Sequence, residues 1–163
     1  MSKIIVLRGS SGSGKTTVAN KLHNILGEGN LLISQDYVRR TMLQAKDKPN
    51  NLAIGLLDSM IKYGIKNCDY TIVEGVLSNN NYGKMLHENL TLADNVYAYY
   101  YDLSFEETVR RHMTKKNVDF NIEDILRWFI PKDFLGIKNE KRITKDISED
   151  NLLELILNDL KIS

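Results

Sequence analysis

The segment near the amino terminus that reads GSSGSGKTT, residues 9–17, constrains this chain more than any other part of its sequence. Residues 9–16 match the pattern G-x-x-x-x-G-K-[ST] at every fixed position. A short apolar run typical of a strand, residues 3–8, precedes the match, and residues 17–22 begin a helical pattern. A strand, a glycine-rich turn and a helix in this order predict a phosphate-binding loop and disfavour a merely flexible Gly/Ser turn.

The residue types in the loop suit an anion. Glycines allow positive φ, so that successive N–H groups can converge on phosphate oxygens, and the following helix adds the partial positive charge of its N-terminus. Lys15 is predicted to bind the β- and γ-phosphates, and the Thr16 hydroxyl is predicted to bind Mg²⁺. The predicted nucleotide-binding residues are Gly9, Ser10, Ser11, Gly12, Ser13, Gly14, Lys15, Thr16 and Thr17.

Length, charge and cysteine content narrow the class of protein. A chain of 163 residues predicts one domain, residues 1–163. The net charge of +1 favours neither a nucleic acid nor a membrane surface as partner. Cys68 is the only cysteine of this sequence, which excludes an intramolecular disulfide. We expect no signal peptide, and no apolar run of the sequence reaches membrane-spanning length. We therefore expect a cytoplasmic protein.

Apolar strand segments alternate with helical segments along the chain. Strands are predicted near residues 3–8, 31–33, 70–75, 95–101 and 142–144, and helices near residues 18–26, 37–44, 52–64, 82–92, 104–113, 121–129 and 152–160. This alternation predicts an α/β fold with a parallel sheet covered by helices on both faces. Ligands of such sheets bind beyond the carboxyl ends of the strands, which makes Asp36, Glu74 and Asp102 candidates beside the loop.

Four segments in this order resemble the small kinases and phosphotransferases of the P-loop superfamily: GSSGSGKTT, SQDYVRR, TIVEG and YDLSFEETVRRHMTKK. Similar members are the nucleoside, shikimate and gluconate kinases, chloramphenicol phosphotransferases, zeta toxins and polynucleotide kinases. The resemblance implies a three-layer P-loop fold with a five-stranded parallel sheet in the order 2-3-1-4-5 and a small helical lid over residues 104–131. It also implies ATP and Mg²⁺ as cofactors.

Asp36 lies where, by this resemblance, such enzymes carry the group that orients or deprotonates the acceptor hydroxyl. The alternative is that Asp36 only caps the helix that begins at Tyr37. Arg39 and Arg40 follow in the first turn of that helix, where a cation gains nothing from the helix dipole. They are predicted to bind an anionic group of the acceptor, and a solvated surface is the alternative.

Glu74 ends the third predicted strand, where the superfamily places an acidic residue near Mg²⁺. An Asp is commoner there than a Glu. Glu74 is predicted to hold Mg²⁺, through water, or to bind acceptor hydroxyls. The alternative is a charge at a strand end that faces solvent.

Arg111 is the lid cation predicted to stabilise charge on the transferring phosphoryl group, ahead of Arg110, Lys115 and Lys116. An i,i+4 pair with Glu107 would explain this arginine nearly as well. Both alternatives stay open at the level of sequence.

The resemblance thus predicts an ATP-dependent kinase that transfers the γ-phosphoryl group to a hydroxyl of a small molecule, nucleoside or nucleotide. Asp36 together with Arg39 suggests a polynucleotide 5′-hydroxyl kinase as the alternative, the one case in which a nucleic acid would be the partner. A nucleotide-dependent switch or regulatory ATPase would belong to another class. The sequence counts against it, because it contains neither an N-K-x-D nor an L-S-G-G-Q motif. The motifs that the sequence does contain specify neither the acceptor nor the oligomeric state.

Overall fold

The computed structural model describes residues 1–10, 12–114 and 121–162, without the side chain of Trp128. Its centre is a sheet of five strands, all parallel, in the order β2-β3-β1-β4-β5. The resemblance to P-loop kinases predicted this order, and the prediction is confirmed. The strands are β1 (Lys3–Gly9), β2 (Leu31–Ser34), β3 (Tyr70–Gly75), β4 (Asn95–Tyr101) and β5 (Glu140–Ile143).

Helices cover both faces of the sheet and close two hydrophobic cores. One core lies beneath α2 (Leu52–Asn67) and α3 (Asn79–Leu90), and the other lies beneath α1 (Lys15–Leu26) and α6 (Glu149–Asp159). The central strand β1 contributes to both cores, because successive side chains of a strand point to opposite faces. Ile4 and Val6 are buried in the first core, and Ile5 and Leu7 in the second. The helices are α1 (Lys15–Leu26), α2 (Leu52–Asn67), α3 (Asn79–Leu90), α4 (Phe105–Met113), α5 (Ile122–Trp128) and α6 (Glu149–Asp159).

Several element boundaries differ from the prediction, and two of them depend on residues distant in the chain. Helix α3 begins at Asn79 rather than near residue 82, and the Asn79 N–H donates to the Asp133 carboxylate at 2.8 Å. This distant acceptor supports a first turn of asparagines, which are weak helix formers. Strand β5 begins at Glu140 because it pairs with β4 from Ala98 onward.

The segment after β2 is a short π-helix, Tyr37–Met42, and not the longer α-helix predicted for residues 37–44. It ends where the Leu43 N–H donates to the Val38 carbonyl at 3.1 Å, an i to i+5 bond. Wide turns of this kind are rare and are often found at functional sites.

The predicted lid segment, residues 104–131, contains the two short helices α4 and α5. Ser104 caps α4 by accepting a hydrogen bond from the Glu107 N–H at 3.1 Å, and Asn121 and Asp124 form a complete capping box on α5. The predicted lid cations Lys115 and Lys116 lie outside the described residues. Within the described parts of the chain, we find no helix with the length and apolar character needed to cross a membrane.

Candidate active site

The glycine-rich loop begins at the end of β1 with a backbone conformation at Gly9 that only glycine tolerates. Gly9 has φ of 152°, and a Cβ on Gly9 would lie 2.6 Å from the Cβ of Tyr101 on the neighbouring strand. Gly14 has a left-handed conformation at the N-cap of α1, with φ of 98°. The loop therefore turns sharply from the strand into the N-terminus of a helix, as the motif requires. Ser11 lies outside the described residues.

Lys15 is held inside the loop rather than extended into solvent. Its side chain is buried, and its Nζ donates to the Ser10 carbonyl at 2.9 Å and to the Ser13 Oγ at 3.2 Å. Both acceptors belong to the loop itself, so the ammonium group is centred on the turn whose N–H groups would bind phosphates. This is the position predicted for the lysine that binds the β- and γ-phosphates.

Thr16 and Glu74 meet across the end of the sheet. The Thr16 hydroxyl lies 3.2 Å from Glu74 Oε1 and 3.3 Å from Oε2, and the side chain of Glu74 is buried. A solvent-facing charge at a strand end, the alternative for Glu74, is thereby excluded. Hydroxyl and carboxylate oxygens are ligands that Mg²⁺ accepts, so the residues present fit this ion.

The protein does not form a closed metal cage at this point. Among the described residues, no group of three or more His, Cys, Asp or Glu side chains could hold a metal ion. Mg²⁺ commonly binds through one or two protein oxygens together with water and substrate phosphates. Thr16 and Glu74 supply that small number of oxygens.

Asp36 lies just beyond β2, whose last residue, Ser34, is in register with Glu74 on β3. Its side chain is 61% exposed. Asp36 occupies the N-cap position of the π-helix, but its side chain accepts no capping hydrogen bond and its backbone is already helical. The structure therefore does not support the capping alternative, and the carboxylate is exposed to solvent.

The Asp36 carboxylate is paired with both arginines of the π-helix. Asp36 Oδ1 lies 3.1 Å from Arg40 Nε and 3.5 Å from Arg39 Nη2. Arg39 also donates from Nη1 to the Ala45 carbonyl at 2.8 Å, which ties the π-helix to the loop after it. Three of the four predicted acceptor-side residues, Asp36, Arg39 and Arg40, thus form one ion-pair cluster, and Glu74 is not part of it.

Arg111 reaches the loop from the lid segment. Its Nη1 donates to the Ser13 carbonyl at 2.8 Å, and its Nε donates to Glu107 Oε1 at 3.0 Å. The pair with Glu107 is therefore present, and it orients the side chain that contacts the loop. The role of Arg111 in stabilising charge on the transferring group stays a prediction. Arg110 pairs with the same carboxylate but is 66% exposed. Hydrogen bonds from Arg110 and then Arg111 lower the pKa of Glu107 to about 2.

Helix α4 packs directly on the loop, which the sequence did not indicate. A Cβ on Gly12 would lie 3.7 Å from the Thr108 carbonyl oxygen and 3.8 Å from the His112 Cβ, and both side chains are buried. Tyr101 lies below the loop at the end of β4, and burial raises the pKa of its hydroxyl. The i,i+4 spacing of Thr108 and His112, which places them on one face of the predicted helix, was the only sequence signal that could have suggested this contact.

A buried polar network supports the acceptor side of the site. The Tyr82 hydroxyl accepts hydrogen bonds from Gln35 at 3.1 Å and Asn51 at 3.2 Å and donates to Asp47 at 2.7 Å. Burial, followed by the bond to Asp47, raises the pKa of Tyr82 to about 12. Because Gln35 is the neighbour of Asp36 in the chain, the network fixes the backbone that presents the Asp36 carboxylate.

Asp102, the remaining strand-end acid, is engaged elsewhere. It forms ion pairs with Arg142 and Lys132 at the ends of β4 and β5. It therefore stabilises the edge of the sheet, and none of its ion pairs involves the loop.

A family model described as an AAA domain matches residues 4–117 of this chain. The matched part includes the loop, Asp36, Glu74 and Arg111. A search of curated proteins finds no match.

Solved structures with the same fold cover nearly the whole chain. The tunicamycin resistance protein of Deinococcus radiodurans is 18% identical with a TM-score of 0.65, over 100% of this chain and 98% of that chain. The APS kinase of Mycobacterium tuberculosis, solved with AMPPNP and APS, is 17% identical with a TM-score of 0.71, over 98% of each chain. A gluconokinase of Sinorhizobium meliloti is 13% identical with a TM-score of 0.67, over 98% of this chain and 95% of that chain. At these identities the likeness establishes the fold, which is that of P-loop kinases.

Proposed function

Because this chain belongs to the AAA domain family and has the fold of P-loop kinases, we propose that it is an ATP-dependent kinase. The γ-phosphoryl group of ATP passes to a hydroxyl group of a small molecule, nucleoside or nucleotide. One observation carries the proposal: the Thr16–Glu74 contact at the loop lies beside the strand end that presents Asp36. A nucleotide site and an exposed carboxylate are therefore at neighbouring strand ends, as transfer between two substrates requires.

On the donor side, backbone N–H groups of the loop and the N-terminus of α1 bind the phosphates of ATP. Lys15 places its ammonium group against the β- and γ-phosphates, exchanging its bonds to Ser10 and Ser13 for phosphate oxygens. Thr16 and Glu74 would hold Mg²⁺, which, when bound, supplies positive charge to the phosphate oxygens. We assign to Arg111 the stabilisation of charge on the transferring group, because it already contacts the loop at Ser13.

On the acceptor side, the Asp36 carboxylate accepts the hydrogen bond of the acceptor hydroxyl and then takes its proton as the phosphoryl group arrives. The carboxylate is exposed enough to receive a substrate, and its ion pairs with Arg39 and Arg40 hold it beside two guanidinium groups. Arg39 and Arg40 can also bind an anionic group of the acceptor, since each guanidinium has donors besides those that face Asp36.

The test is ADP release in the presence of a panel of alcohols, sugars, nucleosides and nucleotides. We expect Asp36→Asn to lower acceptor-dependent turnover by about 10²–10⁴-fold, the usual contribution of a general base, while ATP binding persists. Asp102→Asn is the matched control, because this acid also follows a strand but is paired with Arg142 and Lys132 and not with the arginines of the π-helix. The catalytic assignment of Asp36 is wrong if the two variants behave alike.

A polynucleotide 5′-hydroxyl kinase is the second candidate, and the Asp36–Arg39–Arg40 cluster favours it. Two guanidinium groups beside the proposed base suit an acceptor whose hydroxyl lies near a phosphate. This candidate predicts phosphorylation of oligonucleotide 5′ ends, with binding that weakens steeply as salt rises. Oligonucleotides that bind without salt dependence and receive no phosphoryl group would eliminate it.

A further inference from the structure

Arg8 is a buried cation that none of the motifs explains. It immediately precedes Gly9, and its side chain is only 1% exposed. Its Nε and Nη2 donate to the Leu77 carbonyl at 3.1 and 3.0 Å, and Nη2 also donates to Asp133 Oδ2 at 3.2 Å. Its Nη1 lies 3.5 Å from Glu140 Oε2. One guanidinium therefore contacts three segments that are distant in the sequence: the turn at Leu77, the segment around Asp133 and the start of β5 at Glu140.

The first of these segments is the turn between β3 and α3. Leu77 has φ of 43°, a left-handed conformation that is uncommon for a branched side chain, and it is fully buried. It lies in the turn that follows Glu74 at the end of β3. The two hydrogen bonds from Arg8 fix the carbonyl of this unusual residue, and with it the turn after the proposed Mg²⁺ carboxylate.

The second segment is residues 130–139, which lead from α5 back to β5 and which we call the return segment. Asp133 Oδ2 accepts from the Asn79 N–H as well as from Arg8. The Asp133 N–H donates to the Tyr100 hydroxyl at 2.7 Å, and the Tyr100 ring lies 4.7 Å from that of Phe134. Arg8 stands over the same Tyr100 ring, 5.5 Å from its centroid.

We propose that Arg8 is a positioning residue for phosphoryl transfer. Acting through Leu77 and Asp133, it holds the return segment, which follows the lid segment in the chain, against the turn that follows Glu74. The inference rests on the proposed function, because it assigns Arg8 a place in that reaction.

The chemistry of the side chain supports this role over one in stability alone. A buried ion pair adds little net stability, because desolvation of the charges offsets their attraction, and apolar residues often replace such pairs without loss. The planar fork of an arginine, however, can fix a carbonyl and a carboxylate at defined angles, whereas lysine is a point charge that cannot do so. The contacts of Arg8 use this fork through Nε and Nη2, while the buried Nη1 has no hydrogen-bond partner among the described residues.

The test compares Arg8→Met, Arg8→Lys and Asp133→Asn with the control Tyr99→Phe. The control removes a buried hydroxyl that donates to Asp159 at 2.6 Å beneath the other face of the sheet. We expect hydrogen exchange of residues 77–80 and 130–136 to accelerate at least tenfold in Arg8→Met, with α1 unchanged. At temperatures well below unfolding, kcat should fall at least tenfold while the KM for ATP stays within twofold. Arg8→Lys should not restore kcat, and Asp133→Asn should resemble Arg8→Met.

The inference is overturned if exchange in the return segment is unchanged, or if Arg8→Met lowers kcat no more than Tyr99→Phe does. Rescue by Arg8→Lys would also overturn it, because a simple charge would then suffice. If Arg8→Met fails to fold, Arg8→Lys and Asp133→Asn decide the question. A wild type that transfers no phosphoryl group defeats the proposed function and the positioning role of Arg8 in transfer together. Accelerated exchange in the variants would then show that the proposed function is wrong, whereas Arg8 does hold the return segment and the turn at Leu77 in place.

Discussion

Glu107 is the carboxylate on which two arginines of the lid segment converge. It is mostly buried by these partners, and its hydrogen bonds to Arg110 and Arg111 lower its pKa to about 2. A depressed pKa means that the folded protein stabilises the ionised carboxylate more than the unfolded chain does. Glu107 therefore contributes stability above a pH of about 4.5 and loses it as the pH falls toward about 2.

We predict that Glu107→Gln lowers the free energy of unfolding at neutral pH by about 1 kcal/mol, at the upper end for partly exposed pairs. The difference between wild type and variant should shrink between pH 4.5 and pH 2, as Glu107 becomes protonated. Urea unfolding over this pH range measures it. A difference that is constant over the whole range would contradict the assigned pKa.

Asp36 illustrates what a sequence can say about one residue. Its position after the second strand predicted a site residue, and local sequence allowed either catalysis or capping. The choice depended on backbone geometry, because a residue with helical φ and ψ does not present its carboxylate to the N–H groups that a cap must bind. The catalytic role of Asp36 stays a prediction until turnover of its variant is measured.

At the scale of elements, helix α2 offers two glycines in opposite environments. Gly64 is buried, and a Cβ there would lie 2.8 Å from the Thr71 Cγ2 on β3. Gly55 is exposed, and a Cβ there would meet nothing within 4 Å. Gly64 thus allows the helix to approach the sheet closely, whereas Gly55 has no packing role.

We predict opposite effects for the two alanine substitutions. Gly64→Ala should lower the free energy of unfolding by about 1–3 kcal/mol through overpacking. Gly55→Ala should raise it by about 0.5–1 kcal/mol, because alanine loses less backbone entropy in a helix. Thermal or urea unfolding of both variants gives the comparison, and a change of the same sign in each would refute the packing of α2 on β3.

Elements were predictable from sequence where local pattern decides them and not where distant contacts do. The loop, β1 and the helix caps Ser104 and Asn121 follow from residues close in the chain. The early start of α3 depends on Asp133, and the Gln35–Tyr82 bond joins residues on separate elements. No period or motif marks such pairs, because they meet only once the strands have taken their order in the sheet.

At the scale of the molecule, the alternation of strands and helices predicted the α/β class, and the resemblance supplied the strand order. Right-handed crossovers leave few arrangements for such a chain, which is why the fold was accessible. The identity of the proposed acceptor was not accessible from the sequence. It would depend on the shape of a pocket formed by the π-helix, the loop after it and the lid, and residue lists do not give shape. Single-domain organisation and cytoplasmic location rest on sequence alone and stay predictions.

The central claim is that the loop and Asp36 are two halves of one transfer site. The most direct measurement follows the γ-phosphoryl group of labelled ATP in a single turnover with an acceptor from the panel. We predict that the label appears on the acceptor in wild type and in Asp102→Asn. In Lys15→Ala and Asp36→Asn no labelled acceptor should form within the time that the wild type needs for one turnover. Label that appears only as inorganic phosphate with every acceptor, at the same rate in wild type and Asp36→Asn, would contradict the claim.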